Sequence, residues 1–150
     1  MRNFLISTVW RTEVKIDSSA FIADQELIQA LEKRSTPIAC EEDRILFRQG
    51  ELPEGLFILH DGSVRLTMES PLGEAVMEGS ASSGSLLGLP GLIGNQAYSL
   101  TAKALKGARL SFVKRDDFSD LMLTEPAMSV RVLRVLAAEV RTARFALTEL

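Results

Sequence analysis

The chain is poor in the side chains that most often carry metal, redox or nucleophilic chemistry. Its 150 residues contain one histidine, one cysteine, one tryptophan and one tyrosine. The single Cys40 excludes an intrachain disulfide and an all-cysteine metal or iron–sulfur site, and the single His60 excludes a histidine metal cluster. We therefore expect no metal, no catalytic residue, no enzymatic activity and a reduced, cytoplasmic setting.

The chain also lacks an excess of positive charge and any long apolar run. A net charge of −3 and a pI near 5.3 disfavour broad binding to nucleic acids or anionic membranes. No apolar run approaches the ~20 residues of a membrane span, so we expect no membrane association. A hydrophobic content of 46% and a charged content of 25% are typical of a globular chain, here of one domain.

Short strand patterns fill the centre of the chain. Residues 1–16 have weak periodicity and are interpreted as an N-terminal extension, a strand or an interface arm. Asp17 is expected to cap a helix that carries helically spaced apolar residues and ends at Pro37. Residues 38–113 then contain about seven short strands, which predict an antiparallel barrel or jelly roll, a mainly β fold with added helices.

Two turn signals divide these strands. Asp61-Gly62 lies between an apolar run at residues 56–60 and an alternating run at residues 64–69, which predicts a β-hairpin. Pro71-Leu-Gly73 marks the following turn. A segment without charge comes next: from Gly84 to Ala102 the chain has four glycines and no charged residue.

The C-terminal part is predicted to be helical. A short helix from Arg115 to Met122 precedes a longer one, for which Thr124 is the expected cap and Pro126 lies in the first turn. Apolar residues then recur at spacings of three and four, as in a coiled-coil seam. Arg131 and other arginines fall outside this seam and are interpreted as a solvated face. The predicted seam is Leu133, Leu136, Val140, Ala143, Leu147 and Leu150.

Three of these segments, in order, resemble the cyclic nucleotide-binding domain of the Crp/Fnr regulators. The first is Leu46–Gly50 (LFRQG) with Gly55–Leu66 (GLFILHDGSVRL), similar to the family's F-x-x-G and G-x-(Y/F)-(I/L)-(I/L)-x-x-G-x-(V/I)-(R/K)-(L/V) elements. The second is the uncharged segment, in the place of the phosphate-binding cassette. The third is Arg115–Leu123, in the place of the short helix before the dimer helix.

The resemblance covers residues 20–150 and implies a β-roll, or double-stranded β-helix, between an N-terminal helix and a long C-terminal helix. The chain then divides into an extension at 1–16, a cyclic nucleotide-binding-like roll with its flanking helices at 17–123, and a dimerisation helix at 124–150. The family's helix-turn-helix would follow that helix, and we expect no DNA-binding element in this chain.

The family holds the cyclic phosphate with backbone amides, a glutamate on the ribose and an arginine on the phosphate. Carried over to this sequence, the glutamate position falls on Leu89 and the arginine position on Gln96 or Ala97. Neither charge is present, so cyclic AMP or cyclic GMP binding is expected to be weak or lost, and a cyclic nucleotide is possible but not the favoured ligand. The candidate ligand-binding residues are Leu87, Gly88, Leu89, Asn95, Gln96, Ala97, Tyr98 and Ser99.

Three interpretations of the leucine-rich cassette stay open: leucines that fill the old pocket, a site for an apolar or mixed-polarity ligand, and retained weak nucleotide binding. Tyr98 either stacks on a ligand or closes the barrel. The resemblance implies a dimeric regulatory module that senses an unidentified small molecule. The alternative is a ligand-free dimerisation or partner-docking module on the same fold.

Overall fold

The computed structural model describes residues 14–148, and side chains are described from residue 15 to residue 144. Most of the predicted N-terminal extension, the side chain of Leu147 and all of Leu150 therefore lie outside the described residues. The strands are β1 (Val14–Ile16), β2 (Ser35–Ala39), β3 (Arg44–Phe47), β4 (Gly55–Asp61), β5 (Val64–Glu69), β6 (Ala75–Ala81), β7 (Leu86–Leu87), β8 (Thr101–Ala104) and β9 (Arg109–Lys114). The helices are α1 (Gln25–Glu32), α2 (Leu89–Gly94), α3 (Arg115–Thr124) and α4 (Pro126–Thr148).

The described strands form two sheets that enclose a roll. One sheet has the order β1-β6-β5-β8-β3, and the other has the order β2-β9-β4-β7. All neighbours are antiparallel except β1 and β6, which run parallel. The prediction of a mainly β roll between an N-terminal and a long C-terminal helix is confirmed.

Strand β4 separates two hydrophobic cores because successive side chains of a strand point to opposite faces. Leu56 and Ile58 face a core shared with α1, α3 and α4. Phe57 and Leu59 face the interior of the roll, where they pack with Leu66 and other side chains of both sheets. Burial on both faces explains the continuous apolar run that the sequence shows here.

The prediction of a β-hairpin at Asp61-Gly62 is wrong, because the two strands that flank this turn do not pair with each other. β4 pairs with β7 and β9, whereas β5 pairs with β6 and β8, so the chain crosses from one sheet to the other at this turn. Gly62 has φ +91°, and a Cβ there would lie 2.6 Å from the Cα of Ala108. Glycine at this position thus allows the chain to make a tight corner of the roll. The turn at residues 71–73, in contrast, does join a paired hairpin, β5 with β6.

The first helix begins later and ends earlier than predicted. Asp24, and not Asp17, is its cap, and its carboxylate accepts a hydrogen bond from the Leu27 N–H at 2.9 Å. Asp17 instead accepts from the N–H and the hydroxyl of Ser19 in the preceding turn. Pro37 does not end the helix but lies within β2, an edge strand, where a missing N–H is tolerated.

The C-terminal helices pack on α1 and the roll. Thr124, predicted as the cap of the long helix, belongs to α3, and its hydroxyl donates to the Asp120 carbonyl at 2.8 Å. Arg131 is not a purely solvated residue, because its guanidinium lies 3.0 Å from Asp24 Oδ1 and 2.9 Å from Glu26 Oε2. Burial alone would raise the pKa of Asp24, but hydrogen bonding and the Arg131 charge outweigh it and lower that pKa. Arg131 thus ties α4 to the start of α1.

None of the helices within residues 14–148 combines the length and the hydropathy that a membrane span requires.

Candidate ligand site

The cassette is a strand, a glycine turn and one short helix. β7 pairs with β4, with Leu87 opposite Phe57, and places the chain at the rim of the roll. Gly88 follows with φ +93° and lets the chain turn directly into α2. A Cβ at Gly88 would lie 2.8 Å from a ring carbon of Tyr98, so the turn needs glycine for its conformation and for space.

The two positions that carry charge in the resembled family are neutral here and lie in different environments. Leu89 is fully buried and belongs to the core shared with α1, α3 and α4. Gln96 and Ala97 are exposed. Pro90 in the first turn of α2 has no N–H and removes one of the backbone donors that an anion would use.

Tyr98 packs inside the roll. Its ring stacks on Phe47 with centroids 3.9 Å apart, and its hydroxyl donates to the Gly55 carbonyl at 2.8 Å. Burial raises the pKa of Tyr98 above its ordinary value. Of the two interpretations of this tyrosine, the geometry corresponds to the one in which its ring closes the barrel.

The space left at the cassette is small. A cavity of about 50 Å³ lies against Gly88, Pro90 and Gly91 and is bounded by Phe47 and Tyr98. This is far below the ~300–1,000 Å³ of ordinary small-molecule sites. The cassette leucines at positions 86, 87, 89 and 92 are buried, whereas Ile93 is 45% exposed. The leucines thus belong to the two cores.

The end of the cassette is held by a residue outside it. Arg115, the first residue of α3, donates to Asn95 Oδ1 at 3.2 Å and to the Pro53 carbonyl. Asn95 has φ +53° and closes α2. Asn95 is therefore engaged in structure, and the arginine nearest to the cassette is already bound to protein acceptors.

A family model described as "Cyclic nucleotide-binding domain" matches residues 37–125, more than half of the chain. The chain belongs to the cyclic nucleotide-binding domain family. Domains of this family are regulatory and not enzymatic, which agrees with the predicted absence of enzymatic activity.

Individual relatives agree with this assignment. The transcriptional activator protein FnrA of Stutzerimonas stutzeri is 25% identical over 118 residues, which are 79% of this chain and 47% of that protein. The chain thus spans about half the length of the curated relatives it matches. The Thermus thermophilus catabolite activator protein has a similar fold, with a TM-score of 0.72, 22% identity and coverage of 83% of this chain and 59% of that one. A chain solved for a cyclic-GMP-dependent signalling pathway in bacterial phytopathogenesis has a TM-score of 0.66 and 27% identity, with coverage of 80% and 95%.

Sequence reasoning missed one residue of this cyclic nucleotide-binding domain, Glu139 on α4. Its carboxyl borders the cavity at the cassette and a larger, adjoining cleft of about 300 Å³ between the roll and α4. Its Oε2 has almost no accessible surface and no hydrogen-bond partner within the described part of the chain. Val132 and Val135 precede it on the buried face of the helix. The sequence contained a signal for this position, because Glu139 follows Val132 and Val135 at the spacing of one helix face.

The two other residues with chemically reactive side chains, His60 and Cys40, contact neighbouring parts of the fold. His60 Nε2 lies 2.7 Å from Ser111 Oγ and 3.5 Å from Glu32 Oε1, between β4, β9 and α1. Cys40 is buried in the roll core. No group of three or more histidine, cysteine or carboxylate side chains with metal-binding geometry occurs among the described residues.

Proposed function

We propose that this chain is a small-molecule sensing domain of the Crp/Fnr type in which tight binding of cyclic nucleotides has been lost. The observation that supports the proposal is the uncharged cassette: by the resemblance, Leu89 falls at the family's glutamate position and Gln96 or Ala97 at its arginine position. The Tyr98 ring on Gly88 adds to it, because it fills space at the turn that the cassette forms.

The expected loss of affinity follows from the strength of charged hydrogen bonds. Each hydrogen bond to a charged group contributes about 1.5–3 kcal/mol. Two missing groups therefore reduce the binding free energy by roughly 3–6 kcal/mol, or about two to four decades in the dissociation constant. A micromolar site would become a millimolar site or weaker.

The experiment is a calorimetric titration of the purified chain with cyclic AMP and cyclic GMP. Gln96→Arg restores a planar donor fork at an exposed position and is expected to tighten cyclic AMP binding by about 10- to 100-fold. Leu72→Arg places the same charge on a side chain that is 86% exposed, in the β5–β6 turn, and is expected to change nothing. Equal affinities for both variants and the wild type would indicate that the filled pocket, and not the missing charge, prevents binding.

We further propose that the domain acts as a homodimer through α4, so that a ligand beside this helix alters the dimer. Leu133 and Val140 are 61% and 49% exposed, lie seven residues apart and share one face of the helix. Val132 and Val135 lie on an adjacent face of α4 and pack in the core shared with α1 and α3. Allosteric signalling requires an element with two alternative states, and we propose that α4 is this element.

The second candidate function is a ligand-free dimerisation or docking module. The small cassette cavity favours it. A thermal-shift survey with chemically diverse small molecules separates the two functions, because a ligand that binds the folded state raises the melting temperature. The sensing function predicts at least one stabilising class of molecule, whereas the docking function predicts none.

A further inference from the structure

A cleft opens between the roll and α4 beside the cassette. Its volume is about 300 Å³, at the lower limit of ordinary small-molecule sites. It adjoins the 50 Å³ cavity at the cassette, because both are lined by Phe21, Ser99, Leu100 and Glu139. A molecule in this cleft would contact the roll, the cassette exit and α4 at the same time.

The walls of the cleft are mainly apolar and adaptable. β1 and the turn after it contribute Ile16 and Phe21, and the strands β5 and β6 contribute Met68 and Met77. Methionine side chains are flexible and polarizable, so they adjust to apolar ligands of different shape. Apart from Lys15, Ser99, Thr142 and Glu139, the side chains that line the cleft are apolar and suit an alkyl or aryl body.

Glu139 is the acidic side chain in these walls. Its Oε2 is buried without a hydrogen-bond partner among the described residues, an arrangement that is costly in a folded protein. Burial raises the pKa of Glu139 to about 8. Lys15 is the other charged side chain that lines the cleft; it is exposed, and no ion pair joins it to Glu139 in the described structure. The titratable groups that face the two cavities are thus Glu139, Lys15 and Tyr98.

We propose that the cleft binds a small molecule that carries a primary ammonium group on a short apolar body, with the ammonium paired to Glu139. This proposal rests on the sensing function proposed above and names its ligand class. An anionic ligand would keep Glu139 in its neutral form and gain no charge pairing from it, so the site does not favour the anionic ligands of the family. The ammonium supplies the donors that Glu139 lacks, and the apolar body covers the methionine and phenylalanine walls.

Binding of such a ligand is coupled to a proton. Near neutral pH the carboxyl of Glu139 is mostly protonated, and the unbound amine carries a positive charge. Formation of the ion pair between them therefore releases one proton to the buffer. The affinity consequently rises with pH, by up to about tenfold per unit below the pKa of Glu139. A neutral ligand of the same shape releases no proton.

The test is calorimetry with three probes of equal chain length, n-hexylamine, 1-hexanol and hexanoate, in buffers of different ionisation enthalpy. Hexylamine is expected to bind with release of one proton, and hexanoate is expected not to bind. Glu139→Gln keeps the shape of the side chain and is expected to weaken hexylamine binding by about tenfold or more, with loss of proton release. Glu125→Gln, at an exposed position before α4, is the matched control and should bind like the wild type.

Three results would overturn the proposal: no binding of hexylamine, equal binding of all three probes, or unchanged binding after Glu139→Gln. Lys15→Met tests whether the Lys15 ammonium already pairs with Glu139 in solution. Hexylamine binding that arises only in this variant would mean that Lys15 occupies the site, and this result would also refute the proposal. The cyclic nucleotide titration is independent. Micromolar binding of cyclic AMP would refute the proposed function whatever the amine does, whereas silence of both ligands would refute the amine site alone.

Discussion

At the scale of single residues, the buried carboxyl of Glu139 is the feature that most needs a physical explanation. Its Oε2 is enclosed without a partner in the described chain, and burial raises its pKa from the ordinary 4.5 to about 8. The folded protein therefore holds a proton there that the unfolded chain releases at neutral pH. Stability is greatest below the unfolded pKa and falls as the pH rises towards the folded pKa.

This linkage gives a prediction for stability. Between about pH 5 and pH 8, the free energy of unfolding should fall with rising pH by up to about 1.4 kcal/mol per unit from this group. Urea unfolding across this range measures the slope. Glu139→Gln should flatten the slope, whereas Glu125→Gln should keep it. A wild-type slope that Glu139→Gln leaves unaltered would refute the assigned protonation.

The residues of the site were predictable to different degrees. The neutral residues at the family's two charged positions come from the resemblance alone: Leu89 directly follows the glycine of the turn, and the second position falls on Gln96 or Ala97. The stacking of Tyr98 on Phe47 did not follow, since it joins residues far apart in the chain through the closure of the roll. The same holds for Glu139, whose burial depends on how α4 lies against the roll.

At the scale of elements, the turn from β7 into α2 is the most tightly determined part of the cassette. Gly88 and Gly107 both have φ +93°, but they differ in their surroundings: a Cβ at Gly88 meets Tyr98 at 2.8 Å, and a Cβ at Gly107 meets nothing within 4 Å. The two positions therefore separate the backbone requirement from the packing requirement.

We predict that Gly88→Ala and Gly107→Ala both destabilise the fold, each by roughly 1–3 kcal/mol through the positive φ. Gly88→Ala should cost a further ~1–3 kcal/mol through overpacking against Tyr98. Urea unfolding of both variants gives the difference, and Tyr98→Leu in the Gly88→Ala background should recover part of it. Equal losses of stability in Gly88→Ala and Gly107→Ala would mean that the Tyr98 ring moves aside at no cost in free energy.

Strands were easier to predict than their partners. The alternation of β5 and the apolar run of β4 located both strands, because burial pattern is local. Their pairing was mistaken, because Asp61-Gly62 has the composition of a hairpin turn and acts here as a corner between two sheets. Pro37 misled in a similar way, since a proline that usually stops a helix is equally suited to the edge strand β2.

At the scale of the whole molecule, α4 has two faces with different tasks. The predicted seam is divided: Leu136 packs partly on the core, Leu133 faces outward, and the exposed Val140 and Ala143 also border the cleft beside the roll. A groove of about 460 Å³ between α2, α3 and α4 extends the apolar surface near Leu133. The described residues of one chain leave this surface without cover.

We therefore predict that the protein is a dimer at micromolar concentration, with twice the chain mass of 16.5 kDa in light scattering. Leu133→Glu and Val140→Glu should shift it to the monomer, because each places a charge in the seam. Leu72→Glu, in the exposed β5–β6 turn, should leave the dimer intact. A wild-type monomer, or a dimer that survives both seam variants, would disprove the assigned interface.

The central claim is that this cyclic nucleotide-binding domain no longer holds a cyclic nucleotide tightly in its cassette. The most direct measurement is a ¹H–¹⁵N NMR titration of the wild-type chain with cyclic AMP, in which the amides of Gly88, Leu89 and Gly91 report on the cassette itself. The account predicts that these amides stay unshifted up to about millimolar ligand. A saturating shift of the same amides at micromolar ligand would contradict it and would mean that neutral donors hold the phosphate.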